Sequence, residues 1–213
     1  MVVQKPVVVL TIIKLNVFVF FLWMFFGYAN PLMTNTFLVS WNSLVEGRIW
    51  TLMTSVFSHS MLFHLFINMY VFFGFGAMLE THLGRKRFLR FYLLAGLAGS
   101  FAHSFVSAIL LGRPELMALG ASGAVSGVIM LFSFMFPHEK LLLFGFIPIP
   151  AMGGALLFVG LDLWGLIAQT QGGTLPIGHG AHLGGALFGF LYYFLYLKSH
   201  PPIKSFDNRY HNH

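Results

Sequence analysis

Residues 120–136 read Gly-Ala-Ser-Gly-Ala-Val-Ser-Gly-Val-Ile-Met-Leu-Phe-Ser-Phe-Met-Phe, an uncharged run closed by Pro137-His138-Glu139-Lys140. Such a run crosses a bilayer or fills a large core, and its neighbours decide between the two. Comparable apolar runs lie at about 7–28, 62–82, 88–111, 147–169 and 181–198, so six candidate spans occupy most of the 213 residues. Charged residues make up 8% of the chain and hydrophobic ones 57%, with a mean hydropathy of +0.80. No water-soluble domain is that poor in charge. The sequence therefore predicts an all-α integral membrane protein, a six-transmembrane-helix bundle forming one membrane domain over 1–213, with no room for a separate soluble domain. The chain has no cysteine, which removes disulfides, thiolate metal sites and a cysteine nucleophile together.

The stretch from 30 to 60 carries Phe37, Trp41, Trp50 and Phe57 and is too apolar for a solvated loop, so it is expected to lie in or dip into the membrane interface. With the N-terminus inside, Lys5, Arg85, Lys86, Arg87, Arg90, Lys140, Lys198, Lys204 and Arg209 fall on the inner side and only Arg48 and Arg113 outside. Lys14 can snorkel inward from the first span. This asymmetry predicts both termini cytoplasmic. The net charge of +6 is then a topology signal with contact to lipid headgroups, and nucleic acid is not expected as a partner. The first apolar run exceeds the usual length of a signal-peptide core, so it is expected to remain as a span. The polar residues 199–213 form a short tail, expected to be disordered.

Polar side chains in hydrocarbon cost a few kcal/mol each and need a partner or a function. In this topology His64, Asn68, Ser122 and His182 all stand near the outer ends of their helices, so three helices bring four polar groups to one depth. The fourth span is the informative one. From Ser122 to Phe136 the rise is about 22 Å against a hydrocarbon core of ~30 Å, which starts Ser122 roughly 8 Å below the outer surface. The preceding Leu111–Gly120 segment must dip to reach it, and irregular backbone is tolerated at that depth only where protein or water satisfies its amides. An outward-open, water-filled cavity is expected there, as hydrolysis requires.

Glycines on both sides of Ser122 leave its hydroxyl unscreened, and helix-start amides nearby point toward any negative charge that forms. Taken alone, Gly120-Ala121-Ser122-Gly123 is equally an ordinary packing motif, since Gly123 with Gly127 is a small-xxx-small pair. A serine nucleophile needs a base, and Gly180-Ala181-His182-Leu183-Gly184-Gly185 supplies a histidine. Gly185 and Gly189 share its helix face, and packing of that face on Gly123 and Gly127 would let His182 reach Ser122. His64 and Asn68, four apart, share a face from which both can donate to a carbonyl oxygen under attack.

These residues resemble the rhomboid family of intramembrane serine proteases. The resemblance lies in Gly-x-Ser-Gly at 120–123, Ala181-His182 with Gly185 and Gly189, and His64-x-x-x-Asn68, with Trp50, His59 and Glu80 beside them, over roughly 47–195. It implies Ser122 as nucleophile, His182 as general base and acid, and His64 and Asn68 in the oxyanion hole. It also implies transmembrane proteins, of the single-pass kind, as substrates, cut near the outer membrane face and entering sideways between the second and fifth helices. Neither a cofactor nor a metal is expected: there is no His-Glu-x-x-His motif, and no carboxylate lies near His59, His64, His179 and His182 in sequence. The chain is expected in a bacterial cytoplasmic membrane. The competing reading is a catalytically inactive rhomboid-like binder of transmembrane clients, against which the intact Ser122 and His182 pair argues.

Three features depart from the family or stay open. Many rhomboids carry an aromatic four residues after the nucleophile, against the catalytic histidine; here Ser126 stands there and is expected to bond back to the Ser122 carbonyl. Trp50 is followed by Thr51 where the family has arginine, with Arg48 nearby. The resemblance implies a Ser-His dyad without an essential acid, so Asp162 is read as a structural or helix-capping group. Glu80 is read as an ion-pair or capping residue, and His103 as a satisfied interhelical histidine.

Overall fold

The computed structural model describes residues 5–143, 147–173 and 177–201. In chain order its elements are α1 (Val7–Phe26), α2 (Pro31–Phe37), α3 (Trp41–Val45), α4 (Thr51–Thr54), a 3₁₀ turn (Ser55–Phe57), α5 (Leu62–Leu83), α6 (Arg85–Ile109), α7 (Ser122–Met135), strands β1 (Lys140–Leu143) and β2 (Ile147–Pro150), α8 (Ala151–Thr170) and α9 (His179–Leu191), which continues as a π-helical segment (Tyr192–Leu197). Five of them, α1, α5, α6, α8 and α9 with its continuation, are long and apolar enough to cross a membrane. The fourth expected span, α7, has 14 residues. Its rise of about 21 Å falls well short of a ~30 Å hydrocarbon core.

Residues 147–150, expected to open the fifth span, instead pair as β2 with β1, from Lys140 opposite Pro150 to Leu143 opposite Ile147. Pro148 and Pro150 disfavour helix in the residues before them, so the helix begins only at Ala151. The polar tail from residue 202 onward lies outside the described residues.

The exterior is apolar: Phe21, Met24 and Phe25 on α1, Phe63 and Phe66 on α5, and Leu161, Trp164 and Ile167 on α8 are all exposed, whereas Asn16, Asn68, Ser104 and Asp162 are buried. That inversion suits a bilayer, in which polar side chains are the ones that need an interior. The centre of the bundle is aromatic. Phe72, Phe88, Phe91 and Tyr92 are fully buried, and the Phe72 and Tyr92 rings pack at 4.8 Å.

Glu80 fastens α1 to α5. Its two carboxylate oxygens accept from the Val8 N–H at 3.0 Å and the Val9 N–H at 2.9 Å, with Arg85 at 3.9 Å. An acid thus occupies the positive end of α1 and satisfies two orphan amides, which agrees with the capping role read from the sequence. The stretch 30–60 folds into short capped helices rather than a loose loop. Asn30 caps α2 by accepting from Leu32, Ser40 and Ser43 form a reciprocal capping box on α3, and the Trp23 indole on α1 donates to Ser58 at 2.6 Å.

Candidate active site

The chain approaches Ser122 along a segment whose amides are tied to residues 38–58. Val39 and Ala118 exchange backbone hydrogen bonds of 2.9 and 2.8 Å, the Asn42 N–H donates to the Pro114 carbonyl at 3.1 Å, and the Gly120 N–H donates to the Ser55 carbonyl at 2.9 Å. His103 on α6 adds a 3.1 Å contact between its Nε2 and the Leu116 carbonyl, so it is satisfied by this loop rather than by another helix. Irregular backbone is thereby paid for in protein hydrogen bonds, as a site inside a membrane demands. Gly120 turns the chain at φ +129°, a conformation side-chain-bearing residues avoid. Ser122, half-buried, is the first residue of α7.

His182 is brought up by close approach of three helices, α6, α7 and α9. A Cβ at Gly99 would stand 3.0 Å from both the Ala181 carbonyl oxygen and the Gly123 Cα, and one at Gly123 would stand 3.2 Å from the same oxygen. Further along, a Cβ at Gly127 would come within 2.9 Å of the Gly185 oxygen, and one at Gly189 within 2.5 Å of the Gly127 oxygen. Gly185 lies directly against the Gly123 oxygen, with no space for a Cβ. The pairing of Gly123 and Gly127 with Gly185 and Gly189 matches the sequence reading. Gly99 and Gly184, the latter packed on Ala98 and Ala102 of α6, are additional. Ser122 and His182 each follow or precede by one residue the Gly123–Ala181 contact, so the seam holds their two helix starts together.

The surroundings of His182 depart from expectation. Its Nδ1 lies 3.0 Å from Asp162 Oδ1 and 3.2 Å from Oδ2. The same Oδ1 is 2.6 Å from Nδ1 of His179. Asp162 therefore caps no helix but joins two histidines of α9. Phe158, one turn before Asp162 on α8, sets its ring 5.6 Å from the His182 ring. An aromatic does accompany His182, supplied by α8 and not by position 126. Ser126 itself donates to the Ser122 carbonyl at 2.7 Å, the back-bond expected.

On the other side, the His64 ring packs on Gly120. A Cβ there would be 2.7 Å from His64 Cε1 and 3.2 Å from Nε2. Asn68 is buried, and its side-chain N–H donates to the His64 carbonyl at 2.9 Å, which leaves its second N–H to be used elsewhere. His59, stacked edge-on to His64 at 4.8 Å, accepts at Nε2 from the Ala121 N–H at 3.5 Å. Burial, with the neighbouring His64 ring adding to it, pushes its pKa down from 6.5 to about 3, so the ring stays neutral and able to accept.

Trp50 and Arg48 converge on α2: the Trp50 indole donates to the Asn35 carbonyl at 3.1 Å, and Arg48 donates to the Asn35 side chain and pairs with Glu46. Arg48 thus anchors the loop two positions before the tryptophan. A shallow depression of about 490 Å³, lined by Leu83, Gly84, Arg85, Lys86 and Arg87, lies at the opposite end of α5 from His64. The sequence reading missed the Asp162 contact, although a buried acid in an apolar helix demands a partner and His179 and His182 stand three apart on one face. Among the described residues no group of three or more His, Cys, Asp or Glu is arranged to hold a metal ion.

Comparison with known proteins gives these features a family. A family model described as the rhomboid domain matches residues 46–199. The chain is 34% identical over 191 residues to RHOMBOID-like protein 12, mitochondrial, of Arabidopsis thaliana, covering 84% of this chain and 55% of that one. It is 39% identical over 142 residues to Rhomboid protein 1, mitochondrial, of Saccharomyces cerevisiae, with 65% and 39% covered. To the human presenilin-associated rhomboid-like protein, mitochondrial, it is 34% identical over 186 residues, with 85% and 46% covered. The chain spans about half the length of the relatives it matches most fully. The expectation of a bacterial cytoplasmic membrane is overturned, because these relatives are mitochondrial proteins. Span hydropathy and basic asymmetry read alike in either membrane, so the residues held no information on this point. With the family model covering the helices that carry Ser122, His182, His64 and Asn68, the chain belongs to the rhomboid family.

Proposed function

We propose that this protein is an intramembrane serine endopeptidase of a mitochondrial membrane that cleaves transmembrane segments of other, single-pass, membrane proteins. In this reading six spans leave both termini on the one positively charged side, and the site opens to water on the other. His182 takes the Ser122 proton as the hydroxyl oxygen attacks the scissile carbonyl carbon, and later gives that proton to the departing amine nitrogen. Negative charge on the carbonyl oxygen is met by His64, Asn68 and the amides at the start of α7. The single observation that carries the proposal is the glycine seam of α7 and α9, which brings the Ser122 and His182 helix starts into backbone contact beside His64.

Purified protein in liposomes, incubated with a panel of single-pass substrates, tests it. Cleavage and labelling by a fluorophosphonate are expected for wild type, and both should vanish in Ser122→Ala and His182→Ala. Cleavage by folded Ser122→Ala protein would refute serine chemistry. Stable substrate capture by wild type with neither cleavage nor labelling would favour an inactive client binder.

A further inference from the structure

We propose that Asp162, braced by His179, is the positioning residue that fixes His182 as the base for Ser122. This rests on the Ser122–His182 reading above.

Asp162 is 4% exposed in the middle of a membrane-length helix, where a carboxylate is costly unless it is fully partnered. Its partners, among the described residues, are two imidazoles, both approached through Nδ1. A carboxylate only accepts, so each ring presents Nδ1–H to it. For His182 the consequence is chemical: with the proton held at Nδ1, Nε2 carries the lone pair that can take a proton from serine. An imidazole without this partner divides its proton between the two nitrogens and turns about its side-chain torsions.

The surroundings are built for this contact. The buried Gly165 of α8 is the residue over which the His179 ring lies, with no room for a Cβ, so a side chain there would push His179 off Asp162. The Phe158 ring at 5.6 Å limits rotation of the His182 ring from the same helix face. Thus α8 supplies both the acceptor and the ring, while Ser126 of α7 is engaged with its own helix.

During attack, the Ser122 O–H bond breaks as its oxygen bonds the carbonyl carbon, the carbonyl π pair moves to oxygen, and the proton goes to His182 Nε2. The imidazolium keeps Nδ1–H on Asp162. Collapse reforms the C=O bond, breaks the C–N bond and returns the proton from Nε2 to the amine. Water then repeats the sequence to release the acyl group. Asp162 touches no reacting atom; its effect is exerted through His182.

A purely structural tie between α8 and α9 predicts something different, and the test separates them. Asp162→Asn conserves size, and the corresponding change in a Ser-His-Asp triad lowers kcat by about 10⁴-fold. Here Phe158 still restrains the ring, so kcat should fall by about 10²-fold or more, with KM within a few-fold and fluorophosphonate labelling slowed in parallel. His179→Gln retains a donor to Asp162 and should cost about tenfold. Independently of turnover, ¹⁵N NMR of histidine-labelled wild-type protein in lipid should show neutral His182 protonated at Nδ1, the signal being assigned by its loss in His182→Asn. Asp162→Asn with kcat within threefold of wild type, or wild-type His182 protonated at Nε2, would overturn the proposal. If wild type neither cleaves nor labels, the protease reading fails, and the NMR result still decides whether Asp162 sets the tautomer.

Discussion

Replacing Gly185 by alanine places a Cβ directly against the Gly123 carbonyl oxygen, well inside the 3.0 Å that real Cβ atoms keep from their neighbours. The obstacle is backbone, so no side chain can swing aside, and α9 must back away from α7 by on the order of 1 Å, a displacement that elsewhere costs about 10²-fold in rate. His182 lies one turn from Gly185 on the same face, and the displacement is passed to it almost undiminished. Overpacking of this kind usually costs about 1–3 kcal/mol, so the bundle should fold. The expected result is a fall in kcat of about 10²-fold, slower fluorophosphonate labelling and a Tm lower by several degrees. Gly160→Ala is the control: it lies in α8 with nothing within 4 Å of its Cβ position, and relief of the glycine penalty, about 0.5–1 kcal/mol, should leave activity unchanged and Tm equal or higher. Both variants are read by a fluorogenic transmembrane substrate in liposomes alongside thermal unfolding in detergent. Full turnover in Gly185→Ala would refute the idea that the seam sets the spacing of Ser122 and His182.

Asn68→Ala should lower kcat by about 10²- to 10³-fold with Tm little changed if its second N–H stabilises the oxyanion; full turnover with a marked loss of Tm would make its bond to His64 its whole role. Ser126→Ala should keep activity within a few-fold, because the hydroxyl serves its own helix; a loss as deep as that of His182→Ala in the same cleavage assay would contradict this. His59 should make the fold acid-sensitive. Its folded pKa of about 3 lies below the unfolded 6.5, so its contribution is full above pH 6.5 and is lost as pH falls toward 3, at about 1.4 kcal/mol per pH unit. Tryptophan-fluorescence unfolding should show a shallower pH slope in His59→Gln, and identical slopes would remove His59 from the account. Glu80→Ala should lower Tm by weakening the attachment of α1, with kcat within a few-fold; unchanged melting would show that the two amide contacts contribute nothing.

The membrane helices were legible because hydropathy acts residue by residue and needs no partner. The Gly123, Gly127, Gly185 and Gly189 seam was legible too, since glycines repeating every four residues on two helices have few other uses. Gly99 and Gly184 escaped because the seam was read as a contact of two helices, and the approach of α6 to both depends on how the bundle packs. The pairing of β1 with β2 escaped because Leu141, Ile147 and Ile149 are as apolar as a span, and only the alternating prolines speak for extended backbone. Asp162 was visible as an anomaly but its partners were not: twenty residues and a turn separate it from His182, and their meeting depends on how α8 and α9 pack. The ring of Phe158 was hidden for the same reason: the sequence showed only that position 126, where many rhomboids have an aromatic, holds serine.

The glycine seam has a thermal consequence. A contact made of side chains loosens on warming as its members exchange rotamers, and its spacing drifts before the helices separate. Backbone against backbone has no rotamers to exchange and surrenders no side-chain entropy when it forms. The distance it sets between α7 and α9 therefore has no gradual mode of expansion. On heating, the fraction of active molecules should track the fraction of intact bundles, while each surviving bundle retains its low-temperature geometry until the helices part.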